Sequence, residues 1–147
     1  MSAEFSSSEP ASPESGDGLT PEFADTLEAD VFARNCASRD VLQNVTSRWG
    51  LLALAALAEG ELRFSALRRR VDGVSERMLS QTLHTLERDG FVTRTVLQSI
   101  PPKVEYSLTD LGADVAGRLT AIIELVEGRV DDVSHARREY DARGDRP

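Results

Sequence analysis

The chain has 147 residues, with 25 acidic against 17 basic side chains, a formal net charge of −8 and a single cysteine. That length fits one small domain, and a lone cysteine excludes an intramolecular disulfide. No apolar run approaches the ~20 residues that cross a bilayer, and the N-terminus lacks the basic start and apolar core of a secretory signal, so a cytoplasmic protein with no membrane partner is expected.

The charge is unevenly placed. Residues 1–30 hold eight carboxylates and no lysine or arginine, which leaves 17 residues of each sign in the remainder. This Ser/Pro-rich stretch has too few apolar groups to offset the entropy of ordering and is expected to be a disordered acidic tail. It either solvates the chain or competes with an anionic partner for a basic face of its own domain. Between Arg63 and Lys103 the balance reverses: eight basic residues stand against Asp72, Glu76, Glu87 and Asp89. A local surplus of this kind matters more for binding a polyanion than the whole-chain charge does, because affinity follows the phosphates actually neutralised.

The ordered domain is expected over 31–142, with a frayed end at 143–147. A helical pattern begins at Arg39, with Val41, Leu42 and Val45 leading into Trp49. The run WGLLALAALAEG is apolar nearly all round, as suits a buried central helix that Gly60 stops. In ELRFSALRRRVDGV, Phe64, Leu67 and Val71 form a short stripe, and Asp72-Gly73 supplies a turn. Ser75 then caps a further helix by accepting a backbone N–H bond, with Leu79, Thr82, Leu83 and Leu86 as its buried stripe and Gly90 as its stop. Two helices joined so tightly read as a helix-turn-helix.

The second of these helices turns Arg77, Gln81 and His84 outward, where they can meet base edges in a major groove. Arg63, Ser65, Arg68, Arg69, Ser75, Ser80 and Arg88 are placed for the DNA backbone. Val92 to Ser99 and Lys103 to Leu108 read as a β-hairpin. Its tip is Ile100-Pro101-Pro102, since proline cannot donate to a ladder and belongs at the end of the hairpin. Directly after a helix-turn-helix such a hairpin is a wing, with Arg94, Gln98, Ser99 and Lys103 as its DNA contacts. Thr109 caps a last helix starting at Asp110. Its apolar stripe (Leu111, Val115, Leu119, Ile122, Ile123, Val126, Val130) is longer than one small core can cover and points to a second subunit. Beyond Val133 the residues are mostly charged, and the end is expected to fray. The fold class is thus mostly α with a small β-hairpin, a winged helix-turn-helix.

Cys36, Arg48-Trp49, Arg63-Phe64-Ser65-Ala66-Leu67, Ser75-x-x-Met78-Leu79-Ser80, Leu86-Glu87-x-Asp89-Gly90, Arg94 and Pro101-Pro102-x-Val104-Glu105-Tyr106-Ser107-Leu108-Thr109-x-x-Gly112 together resemble the HxlR-type transcriptional regulators. The likeness covers roughly residues 36–125, and the hairpin string PPKVEYSLTDLG is its most specific part. It implies a homodimeric winged helix-turn-helix on a pseudo-palindromic operator in double-stranded DNA, dimerising through its N- and C-terminal helices; of repressor and activator, a repressor is the expectation. Val41, Leu42, Val45, Leu119, Ile122, Ile123 and Val126 are the expected interface. Two recognition helices would then sit one DNA turn apart, roughly 34–36 Å or a multiple. The chain departs from the family pattern in having Thr46-Ser47-Arg48-Trp49 for Gly-Gly-Lys-Trp, and Ala37 rather than proline after the cysteine.

In several members of that family the cysteine at this place senses oxidants or electrophiles. Here Arg34, Arg39 and the start of the first helix would favour the thiolate of Cys36, against the plainer reading of a small buried hydrophobe. Two alternatives stay open: a small ligand at the dimer interface, with Trp49 as its main aromatic candidate, or a winged helix used for protein contacts alone. An enzyme is not expected, nor a metal or cofactor. His84 and His135 lie in different helices, and there is neither a ligand cluster at metal spacing nor a glycine-rich phosphate loop.

Overall fold

The computed structural model describes residues 30–144. The acidic tail, apart from Asp30, and the last three residues lie outside them. The described residues from 40 on form one compact unit, and the described part of the preceding one is a run of turns over 30–36 followed by the start of the first helix. In chain order the elements are α1 (Ala37–Thr46), α2 (Arg48–Ala58), β1 (Leu62–Arg63), α3 (Phe64–Arg70), α4 (Glu76–Arg88), β2 (Val92–Ser99), β3 (Pro102–Leu108), α5 (Asp110–Gly128) and α6 (Val130–Ala142).

The core gathers one face of each element. Leu54 and Leu57 of α2, Leu67 of α3, Leu79, Leu83 and Leu86 of α4, Phe91, Tyr106 of β3 and Ala116 of α5 are all buried together. The alanines of α2 let its neighbours approach: Ala53 and Ala56 are buried where larger side chains would hold α5 off. Trp49 packs half-buried against this core, near Gly73 in the turn before α4. Thr82, expected in the buried stripe of α4, is only half-buried, and its hydroxyl donates to the Met78 carbonyl at 2.8 Å.

The hairpin forms, with Arg94 opposite Tyr106 and a register shift between Val96 and Gln98; Pro102, expected in the tip, is instead the first residue of β3, opposite Ser99. It is also joined by a third strand. Leu62 and Arg63, read from sequence as the lead into a helix, pair antiparallel with Tyr106 and Glu105, so the sheet runs β1-β3-β2. Arg63 therefore stands on the outer edge strand, and α3 starts one residue later than it.

At the C-terminus one expected helix is two. The backbone of Arg129 leaves helical geometry at φ −127°, directly after Gly128. Its guanidinium instead pairs with Asp132 at 2.7 Å in the first turn of α6, so Val130 belongs to a new helix. Instead of fraying after Val133, α6 continues to Ala142, with no buried residue and with His135 Nε2 3.3 Å from Glu139.

Candidate nucleic-acid interface

The centre of the site is α4. The Ser75 hydroxyl accepts the Met78 N–H at 3.1 Å, satisfying one of the orphan donors of the first turn. Gly90, at φ 85°, ends the helix in a conformation that only glycine adopts cheaply. Burial of Leu79, Leu83 and Leu86 fixes the rotation of the helix. At 3.6 residues per turn, Arg77, Gln81, His84 and Arg88 then fall within roughly 60° of one another on the opposite face. All four are exposed.

Three contacts aim this helix. Arg68 of α3 lies 3.9 Å from Glu76, tying the positioning helix to the first turn of α4. Asn44 of α1 donates to Asp89 at 3.0 Å and holds the other end. At the exit, Thr109 donates through its hydroxyl to the Gly90 carbonyl at 2.6 Å, and its backbone N–H reaches the Phe91 carbonyl at 3.1 Å. The Leu-Thr-x-x-Gly string therefore locks the end of α4 to the start of α5, where Thr109 also caps Gly112 at 3.0 Å.

The sheet brings the wing beside the helix. Ser80, His84 and Glu87 of α4 line one cleft of about 240 Å³ together with Arg94 and Tyr106. On the other flank, Gln81 lines a smaller hollow with Asn44 and Ser47. Two of the expected base readers, Gln81 and His84, thus line different hollows on the exposed face. Ser65, Arg68 and Arg69 line a shallow cleft with Glu76 at the start of α4, a place suited to the sugar-phosphate backbone. Lys103 pairs with Gln98, and Ser99 with Pro102, near the hairpin tip. There Gln98 donates to the Ile100 carbonyl at 2.6 Å, so its amide is engaged within the tip, and Ile100 is 86% exposed.

One arginine of the basic run is diverted. Arg70 forms a two-point ion pair with Glu59 at the end of α2, through Nε at 3.1 Å and Nη2 at 2.5 Å. Sequence reasoning missed this pair, because residues eleven apart across a strand and a loop share no helical period. Glu76 and Glu87 were likewise counted only as charge. The place of Glu76 directly after the cap residue Ser75, and of Glu87 three residues after the outward-facing His84, could have suggested contact with the interface.

Among the expected dimer residues, Val45 and Leu119 are 5% and 6% exposed and are taken up by the chain's own core. They are not available to a partner. Val41, Leu42, Ile122 and Val126 are exposed, Ile123 is half-buried, and Leu111 and Leu125 extend the open apolar surface of α5.

Cys36 is half-buried, immediately before α1. Its thiol sits below the ordinary range chiefly because the Ser38 hydroxyl, 2.7 Å from Sγ, hydrogen-bonds it; partial burial opposes this, and backbone bonds support it. The side-chain charges of the flanking arginines, expected to do this, are not among the causes: Arg39 contributes only through its backbone N–H, and its guanidinium reaches the Phe32 carbonyl at 3.5 Å.

The chain matches the model of the HxlR-like helix-turn-helix family over residues 44–134. It is 50% identical to the HTH-type transcriptional regulator YtfH of Escherichia coli K12 over 76% of this chain and 89% of that protein. Among solved structures, the transcriptional regulator YtfH from Salmonella typhimurium superposes with a TM-score of 0.72 at 49% identity, covering 76% of this chain and 99% of that one. The redox regulator HypR in its reduced form gives 0.61 at 32% identity, over 67% of this chain and 97% of that one.

Proposed function

The chain belongs to the HxlR-like helix-turn-helix family and is a transcriptional regulator of that type, not an enzyme; from this we propose that it is a homodimeric repressor reading a pseudo-palindromic operator with α4. The observation that carries the reading is the outward face of α4, where Arg77, Gln81 and His84 stand together with Arg94 of the wing beside them. Arginine and glutamine offer paired donors and acceptors that match guanine and adenine edges in the major groove. Arg68, Arg69, Arg88 and Lys103 neutralise flanking phosphates. The exposed apolar residues of α1 and α5 form the subunit contact, placing two copies of α4 on successive half-sites.

Cys36 is the proposed redox-responsive residue. The Ser38 hydroxyl favours its thiolate, the nucleophilic form, and HypR and YodB, both similar in fold, have structures solved in different redox or oxidant-treated states. With one cysteine per chain, the response runs through S-thiolation, alkylation or a Cys36–Cys36 bridge between subunits.

The test is a titration against the DNA upstream of the protein's own gene, at moderate salt, with random competitor, before and after mild oxidant. Specific binding that oxidant abolishes supports both parts. Specific binding indifferent to oxidant keeps the repressor and removes the thiol switch. An absence of binding even at low salt would remove the DNA reading and favour protein contacts.

A further inference from the structure

A further cavity, of about 520 Å³, lies between α2, the end of α3 and α5. Its apolar part comes from Leu52, 37% exposed, with Ala55, Ala56 and Ile123. Ala55 leaves part of the space: at this half-buried position α2 carries a methyl group where a longer side chain would enter the cavity. Its polar part is almost wholly anionic. Glu59, Asp72, Glu124 and Glu127 contribute to the walls, and the one basic residue there, Arg70, is already paired with Glu59. Thr120 lies in the same wall, and its hydroxyl oxygen is buried with no hydrogen-bond partner, a group that the N–H of a protonated amine would satisfy and a quaternary ammonium would not.

This chemistry selects its occupant. Among the described residues no three carboxylate, histidine or cysteine groups converge closely enough to hold a metal ion. An anion would meet four carboxylates. A second copy of the chain is better served elsewhere, because Thr120 and Glu124 stand about 160° around α5 from Ile122, on the open apolar face. We infer that the cavity binds an organic cation with an apolar body, a protonated amine or quaternary ammonium whose charge lies among the carboxylates and whose hydrocarbon covers Leu52 and Ile123.

Its regulatory consequence rests on the repressor reading. Arg70, Val71 and Asp72 line the cavity and directly precede the Gly73 turn that sets α4. A cation that takes Glu59 from Arg70 loosens the end of the positioning helix, and DNA affinity responds.

The experiment is equilibrium dialysis of the full chain, without DNA, against 2-phenylethylammonium and benzyltrimethylammonium, with neutral 2-phenylethanol as control. The cations are expected to bind saturably and at least tenfold more tightly than the alcohol. The Glu124→Gln/Glu127→Gln variant, altered only at exposed positions, is expected to lose at least tenfold in cation affinity. Ala55→Leu, which fills the cavity, is expected to abolish binding without changing the sedimentation coefficient. The proposal is overturned if neither cation saturates, if alcohol and cations bind alike, or if the double variant keeps its affinity. A smaller sedimenting species for Ala55→Leu would overturn it too, by showing that a second copy covers the cavity. Operator titration without cation tests the repressor reading separately, so either can fail alone.

Discussion

Gly112 of α5 lies so close to the carbonyl oxygen of Phe91 that a β-carbon there would overlap it. The contact sits at the junction where the Thr109 hydroxyl also bonds Gly90, so the end of α4 and the start of α5, the helix that carries the exposed apolar face, are held together through the Gly90–Phe91 backbone. Gly112→Ala must therefore push α5 away from the end of α4. A loss of about 1–3 kcal/mol is expected, as for other overpacked sites, read as a lower urea midpoint at unchanged slope. Thr109→Val, which removes the cap but not the space, should cost about 1 kcal/mol. An unaltered midpoint for Gly112→Ala would show that the junction yields freely.

Arg77 and Arg94 are expected to separate base reading from backbone attraction. Arg77→Ala should cost about 1–3 kcal/mol on the specific site and relax selectivity. Arg94→Ala should weaken specific and random DNA alike and make the salt dependence shallower. Equal losses on both DNAs for Arg77→Ala would remove its base-reading role.

Cys36 should alkylate with a pH midpoint below that of an ordinary thiol, because the Ser38 hydroxyl stabilises its thiolate. Ser38→Ala should move the midpoint upward and slow iodoacetamide at neutral pH. Cys36→Ser should keep DNA affinity and lose any response to oxidant; a variant that still responds would place the switch elsewhere.

Two carboxylates should give opposite pH slopes. Arg70 holds Glu59 below the usual range, so its contribution to stability is complete above the ordinary glutamate pKa of about 4.3 and is lost as the pH falls through the lower folded value. Glu105 is raised by its hydrogen bond with Glu61, then by burial. Its folded form holds the proton longer, so its contribution is present below the ordinary value and lost as the pH rises through the folded one. Comparing Glu59→Gln and Glu61→Gln with the parent chain in acid denaturation should flatten one slope each; parallel curves would sink the assignment.

Ile122→Asp should dissociate the proposed dimer in sedimentation while leaving the fold intact, since that side chain is 54% exposed. Leu119→Ala should instead destabilise the monomer core by about 2–5 kcal/mol. If Ile122→Asp sediments like the parent chain, the subunit contact does not use α5.

The sequence by itself determined the local elements around α4. A cap at Ser75, leucines at helical spacing, a stop at Gly90 and a proline at a hairpin tip are short-range signals, and each survives in the structure because its physics is complete within a few residues. The outward face of Arg77, Gln81, His84 and Arg88 followed from the same period. What only the tertiary structure decided are the non-local pairings. Leu62 and Arg63 became a third strand because β3 offered a free edge, and Arg70 left the basic face because Glu59 came within reach. Val45 and Leu119 went to the core, while equally apolar Ile122 stayed outside. Periodicity specifies which face of a helix is apolar; which part of that face the chain itself covers depends on how its elements pack, and no local pattern records that.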